Sequence, residues 1–325
     1  MRIVVAGSIA FDYLMVFPGR FKDHILPDKM DVLSVSFLVE SMKRQHGGTA
    51  PNIAYNLALL GERPTVMGTV GEDFAEYRVW LEANGVDTSA IKPIPGEFTS
   101  SCFINTDLQD NQITAFYPGA MSQARTLSFN DEELRGTEFA VICPDDPIAM
   151  EQHATECTTL GIPYLYDPSM QAPRMSAEEL RKGFAGARVL TGNDYEFGMM
   201  ASKLGISEEE MRRVVPITVM TRGEQGASIV VEGTEYVIPA AQPRAVADPT
   251  GAGDAFRGGL IKGMIHDLPW EVTGRIASLS AVYAIEQTGT QQHRYTWAEF
   301  VERYRANFGA APELEALGSS PAVTI

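Results

Sequence analysis

Cysteine is scarce in this 325-residue chain. Cys102, Cys143 and Cys157 are the only three, an odd number with no CxxC pair. That argues against a disulfide framework and suits a reducing cytosol, so a cytoplasmic protein is expected. The five histidines, at 24, 46, 153, 266 and 293, form no HxxxH, which leaves no zinc motif. Basic residues are also few: 26 Lys and Arg stand against 42 Asp and Glu, a net charge of −16. Phosphate backbones and anionic lipid attract Lys/Arg faces, so neither nucleic acid nor membrane is an expected partner. No apolar run approaches the ~18 residues of a membrane helix. The apolar start at 3–6 is interrupted by Asp12 without a small-residue cleavage pattern, and reads as a buried strand rather than a signal peptide. Two phosphate motifs are missing as well. There is no GxxxxGK[ST], and the GxG at Gly251 and Gly253 has Phe256 where a dinucleotide fingerprint needs its third glycine.

What is present is an ordinary globular composition, 45% hydrophobic and 21% charged, too apolar for disorder. The length allows about two domains, or one large α/β domain with an insertion. Short apolar runs at 3–6, 65–70, 139–143, 164–166, 189–191 and 217–221 suit strands covered on both faces. Helical patterns at 53–60, 74–83, 149–160, 177–184 and 195–204 lie between them, and 251–265, 270–286 and 296–307 are helical too. This alternation predicts an α/β fold with a mostly parallel central sheet between helical layers. Residues 229–231 and 236–238 read as an edge hairpin, and 309–325 as a loose tail. Two stretches break the rhythm. Residues 32–37 alternate apolar and polar, and 98–117 read as a hairpin. Together, segments 13–46 and 98–117 predict a small β lid over a large unit of 1–12, 47–97 and 118–325.

The most informative stretch is Asp248-Pro249-Thr250-Gly251-Ala252-Gly253-Asp254-Ala255-Phe256. Small residues open a helix whose buried stripe is Phe256, Leu260 and Met264. A helix start offers unpaired N–H groups and the positive end of the dipole, so it receives anions. Asp254 in the first turn makes sense as a base taking a proton from a hydroxyl nucleophile; a favourable first-turn charge is the other reading. A second stretch, Gly47-Gly48-Thr49-Ala50-Pro51-Asn52, enters a helix with Pro51 in its first turn. Asn52 then projects from that helix start.

Gly47-Gly48, Asn52 and Ala54, followed about 200 residues later by DPTGAGDAF, resemble the two signatures of the ribokinase-like (PfkB) family of carbohydrate and nucleoside kinases. Finer matches, at Gly7-Ser8-Ile9-Ala10, Asp12, 17–21, 34–39, 116–121 and Asn193-Asp194-Tyr195-Glu196, resemble bacterial adenosine kinases of the mycobacterial type. The resemblance spans residues 1–300. It implies a three-layer α/β/α sandwich with a β lid, and transfer of phosphate from ATP to the 5′-hydroxyl of a nucleoside, adenosine before inosine, ribose or fructose. It implies Asp254 as catalytic base and Gly251, Ala252 and Gly253 as anion hole. Asp12, Gly48 and Asn52 fall on sugar-binding positions, with Ser8 and Ser36 as additional partners. Phe116, and Phe37 with it, would contact a base from the lid, and Cys102 stands where similar enzymes carry a lid aromatic. Asn193 and Glu196 match an NxxE pattern that organises Mg²⁺ through its waters, and also fit a capping box. Thr221, Gly223 and Gly226 fall at the nucleotide site, where a β-turn is the plainer reading. Asp248 and Thr250 lie where relatives bind a monovalent cation, K⁺ being the one expected. A homodimer through the lid is the implied assembly.

Overall fold

The computed structural model describes residues 1–25, 34–109 and 111–317. Its centre is a nine-stranded sheet. In chain order the strands are β1 (Ile3–Ala6), β4 (Thr65–Val70), β5 (Ile91–Pro93), β8 (Phe139–Ile142), β9 (Tyr164–Tyr166), β10 (Val189–Asn193), β11 (Ile217–Thr221), β12 (Ala227–Val231) and β13 (Thr234–Ile238). Their spatial order is β13-β12-β11-β10-β9-β8-β1-β4-β5. Every pair is parallel except β11–β12 and β12–β13, the edge hairpin.

Strand β1 shows why the apolar runs are continuous. Ile3 and Val5 enter one core and Val4 and Ala6 the other, since alternate residues point to opposite faces. The first core is closed by α1 (Thr49–Leu59), α2 (Ala75–Ala83), α7 (Ala252–Ile265) and α8 (Trp270–Ile285), through residues such as Ile53, Leu57, Tyr77, Leu260 and Ala277. The second is closed by α3 (Pro147–Leu160), α4 (Ala177–Phe184) and α5 (Asp194–Leu204), through Met150, Leu180, Phe197 and Met200. The short α6 (Glu208–Met211) follows α5 and adds Met211 to that core. This is the expected three-layer sandwich. Helix α7 sits unusually close to its neighbours. A Cβ on Gly258 would lie 2.7 Å from the Asn56 Cβ of α1, and one on Gly259 2.6 Å from the Ala277 Cα of α8. Both glycines let α7 nest between α1 and α8, which fixes where its N-terminus points.

The second sheet has four strands, β2 (Ala10–Val16), β3 (Ser41–Gly47), β6 (Ser100–Thr106) and β7 (Gln112–Tyr117), in the order β3-β2-β6-β7. Two differences from the sequence reading stand out. Ala10 to Asp12 belong to this small sheet and not to the large unit, because the chain leaves β1 at Gly7 and re-enters a ladder three residues later. The alternating segment is not the strand expected. Residues 32 and 33 lie outside the described residues, and 34–40 form no ladder. Phe37 packs instead among Phe17, Phe21 and His24, at ring distances of 5.1, 4.9 and 6.1 Å. The strand is Ser41–Gly47, whose polar, charged sequence hides it. Backbone pairing from Ala10↔Gly47 to Val16↔Ser41 makes it, not apolar burial.

At the C-terminus α9 (Trp297–Phe308) and α10 (Pro312–Leu317) pack on the outer side of α8. The tail expected from 309 onward is therefore helical at 312–317, anchored by the buried Leu314. Residues 318–325 lie outside the described residues.

Candidate active site

Parallel strands present their carboxyl ends at one edge of the sheet, where ligands bind in such folds. Ser8, Asp145, Asp167, Asn193 and Thr221 stand at or just beyond the ends of β1, β8, β9, β10 and β11. The starts of α1 and α7 reach the same edge.

The start of α1 is built on backbone proximity. Gly48, its N-cap, has φ +92°, and a Cβ there would lie 2.6 Å from the Ala10 nitrogen. The Asp12 carboxylate rests on Gly47, where a Cβ would strike its Oδ2. Ser8 accepts a long hydrogen bond from the Thr49 N–H through its Oγ (3.4 Å). In the first turn Asn52, buried, donates from Nδ2 to Asp254 Oδ2 at 2.9 Å. That bond joins two motifs 202 residues apart.

Asp254 lies in the first turn of α7, whose N-cap Gly251 has φ +82° and packs against Thr290. One expectation needs refinement here. The Ala252 N–H turns back to the Pro249 carbonyl (3.3 Å), so the unpaired donors of this helix start are the next first-turn N–H groups. Arg257, one turn on, makes an ion pair with Asp167 (Nε to Oδ2, 2.5 Å) and reaches Asp254 (Nη1 to Oδ1, 3.5 Å). Its guanidinium lies against Gly253, where a Cβ would meet Nη1 at 2.7 Å. Burial pushes the Asp254 carboxyl above its ordinary value, against the pull of Arg257 and the Asn52 hydrogen bond. Burial pushes Asp167, wholly inaccessible, up to about 7, again against Arg257. Asp12 is pushed up to about 6 by burial and then by the charges of Asp254 and Asp248.

The ladder of the small sheet places Gln45, Asp12, Cys102 and Phe116 directly opposite one another, on one face. Phe116 is half-exposed there. Phe103, one residue on from Cys102, points the other way and stacks on Tyr13 at 4.8 Å. Phe37 is tied into the cluster described above and Ser36 is exposed in the irregular segment 34–40. Among the described residues Ser36 makes no hydrogen bond to this group.

On the other side of α7 a cavity of about 160 Å³ is lined by Ser169, Asn193, Glu196, Thr221, Gly253 and Arg257. Asn193 and Glu196 form a capping box at the start of α5, each donating a backbone N–H to the other's side chain at 2.8 Å. Ser169 donates to the other Glu196 oxygen at 2.9 Å. Thr221 bonds the Gly192 carbonyl at 3.5 Å. Gly223 and Gly226 are set apart from the cavity lining. They shape the turn between β11 and β12, with φ +54° and +83°, and a Cβ on Gly226 would strike the Ile238 carbonyl. Asp248 closes the loop before α7, accepting from the N–H groups of Thr250 (2.9 Å) and Gly289 (3.1 Å). A larger cavity, about 350 Å³, opens beside β5 and holds none of these residues.

The model of the pfkB family of carbohydrate kinases matches residues 10–297. The chain belongs to that family. Along its length this kinase resembles the nucleoside kinase of Burkholderia thailandensis in complex with inosine, at 38% identity and TM-score 0.85, over 95% of this chain and 98% of the other. A structure of the same enzyme in complex with ADP-inosine matches at 39% and 0.83, over 95% and 96%. The nucleoside kinase of Methanothermobacter thermautotrophicus is 28% identical over 96% of this chain and 98% of its own. The enzyme is an ATP-dependent phosphotransferase of the ribokinase-like fold.

For this kinase the donor set fits magnesium held through water. Each Glu196 oxygen accepts one hydrogen bond and keeps a lone pair. Among the described residues no cluster of three His, Cys, Asp or Glu forms a direct metal cage. Sequence reasoning missed Arg257, Asp167, Gln291 and Tyr77. The first two carried a signal: a charged residue on the buried face of an apolar helix, and an Asp directly after a buried strand. Gln291 carried none.

Proposed function

We propose that this kinase transfers the γ-phosphoryl group of ATP to the 5′-hydroxyl of a purine nucleoside. The observation that carries the reading is Asp254, held by Asn52 at the start of α7, between the Asp12 carboxylate and the cavity of Asn193, Glu196 and Thr221. Whole-length similarity to nucleoside kinases supports it. The two oxygens of Asp12 accept both hydroxyls of a vicinal diol. Phe116, on the same face of the small sheet, offers a ring to the base, and base stacking contributes about 1–3 kcal/mol. Small Cys102 between them leaves room on that face.

Asp254 takes the 5′-proton as the oxygen attacks the γ-phosphorus, the bond to the β-phosphate oxygen breaks, and ADP leaves. The first-turn N–H groups of α7 face the charge that builds on the transferring group, and Arg257, paired with Asp167, sets the charge balance around Asp254. Magnesium, when held by Glu196 and Asn193 through water, supplies neutralisation of the phosphate charge. Asp248, Thr250 and the adjoining carbonyls are the groups toward which potassium dependence is to be tested.

Adenosine is the reading from the lid and ribose positions. Inosine is favoured by the inosine complexes of the Burkholderia enzyme. Labelled ATP offered with adenosine, inosine, other nucleosides and free ribose or fructose separates them. Phosphorylation of free sugars alone overturns the nucleoside reading. Asp254→Asn lowers kcat by about 10²–10⁴-fold, the usual share of a general base, while calorimetry still detects nucleoside binding. Near-normal turnover in that variant removes Asp254 from the mechanism.

A further inference from the structure

Asn52 meets Asp254 with its amide nitrogen, and a buried chain of hydrogen bonds behind it allows only that orientation. Gln291 is 1% exposed, Tyr77 fully buried and Asn52 4% exposed. At one end of the chain stands Trp80, whose indole N–H is a donor only. It donates to Gln291 Oε1 at 3.1 Å. At the other end stands the Gly47 carbonyl, an acceptor only. The Tyr77 hydroxyl donates to it at 2.9 Å, which leaves the Tyr77 oxygen to accept from Gln291 Nε2 at 2.6 Å. Trp80 and Gly47 thus fix the Gln291 amide the same way round, from opposite sides.

The second hydrogen of Gln291 Nε2 goes to Asn52 Oδ1 at 2.9 Å. Asn52 Oδ1 is then committed, and Nδ2 alone faces the Asp254 carboxylate, at 2.9 Å. Turning the Asn52 amide over would set its oxygen against a carboxylate and its NH₂ against another NH₂. Both contacts are repulsive, and in a buried site neither is screened.

We propose that Gln291, oriented by Trp80 and Tyr77, is a positioning residue that locks the Asn52 amide as a donor to Asp254 and so keeps that carboxylate ready to accept the nucleoside proton. The proposal rests on Asp254 being the base. The other groups around Asp254 are Arg257 on its own helix, Asp167 beyond β9, Asp12 on β2, and the neutral Tyr77 and Cys143. None of these gains or loses a charge when Gln291 or Trp80 is replaced by a neutral side chain.

Gln291→Met removes the lock without adding charge. Trp80→Phe removes only the distant donor and keeps an aromatic ring, so it serves where Gln291→Met fails to fold. With the Asn52 amide no longer held as a donor to the ionised form, the acid limb of the kcat/KM–pH profile moves up by about one pH unit. Activity on that limb falls about tenfold, and at high pH it returns toward wild type. Trp80→Phe shifts the limb the same way by less. In an Asn52→Ala background, Gln291→Met produces no further shift. An unmoved limb in a folded variant, or a shift that adds fully to that of Asn52→Ala, overturns the proposal. Asp254→Asn is run alongside. Turnover surviving there defeats the functional reading, whereas its collapse with an unmoved Gln291→Met limb defeats the positioning role alone.

Discussion

Arg257→Met tests the charge balance on which the base depends. Arg257 is 8% exposed and sits between Asp167, 0% exposed at 2.5 Å, and Asp254, at 3.5 Å. An opposite charge this close holds a carboxyl down by roughly 1–3 units. Removing it pushes Asp167 above its present value of about 7 and Asp254 further above the ordinary carboxylate range. The direction in pH follows from proton uptake. A carboxyl raised in the folded state keeps a proton that the unfolded chain has released, so stability falls as pH rises from the unfolded value to the folded one. Wild type stops losing stability through Asp167 near pH 7, where that group ionises. The variant continues to lose it, at about 1.4 kcal/mol per pH unit. At pH 8.5 the gap is about 2 kcal/mol from Asp167 alone, and at pH 5.5 this contribution is absent. Urea unfolding followed by tryptophan fluorescence at the two pH values measures it. Turnover shows the matching signature, depressed at pH 7 and recovering toward alkaline pH as Asp254 ionises. Equal destabilisation at pH 5.5 and 8.5 would mean that Arg257 acts by packing alone and would refute the reasoning.

Two further carboxyls give independent outcomes. Asp12, raised to about 6, loses an acceptor lone pair when it takes a proton, so KM for the nucleoside climbs as pH falls through 6. Asp12→Asn raises KM throughout and flattens that dependence; a wild-type KM that is level from pH 5 to 8 contradicts the diol role. Asp145 is 3% exposed and pushed up to about 8 by burial, against one hydrogen bond from the Asp146 N–H. Asp145→Asn keeps an acceptor for that N–H and cannot ionise. Its unfolding free energy therefore gains on wild type progressively between the unfolded value near 4 and about pH 8, and a gap that stays constant across this range speaks against burial as the cause.

Local chemistry was legible wherever a side chain's neighbours in sequence set its role. Continuous apolar runs such as 3–6 and 65–70 mark strands covered on both faces, and both appear at those bounds. Gly251 to Asp254 announced the helix start that forms at α7, and Asn193 with Glu196 announced the capping box that forms at α5. The lid was legible as a separate sheet but not strand by strand. Ser41–Gly47 is held by backbone pairing with β2, and its Lys, Arg, Gln and His side chains leave no period to read. The segment with the clearer alternation, 34–37, spends its aromatic ring on Phe17 and Phe21 instead.

From the chain alone came the residue types that the chemistry needs: a carboxylate at a glycine-rich helix start, a second one after the first strand, and an amide between them. Their mutual arrangement depends on contacts across hundreds of residues. Asn52 reaches Asp254 only because Gly258 and Gly259 let α7 lie against α1 and α8. Gln291 orients that amide only because the loop after α8 folds back onto α2. Asp167 and Arg257 neutralise each other at the junction of β9 and α7, although they are 90 residues apart. Hydrogen bonds and ion pairs have a reach of about 3 Å, so which polar groups serve one another is decided by packing, and packing is a property of the folded chain.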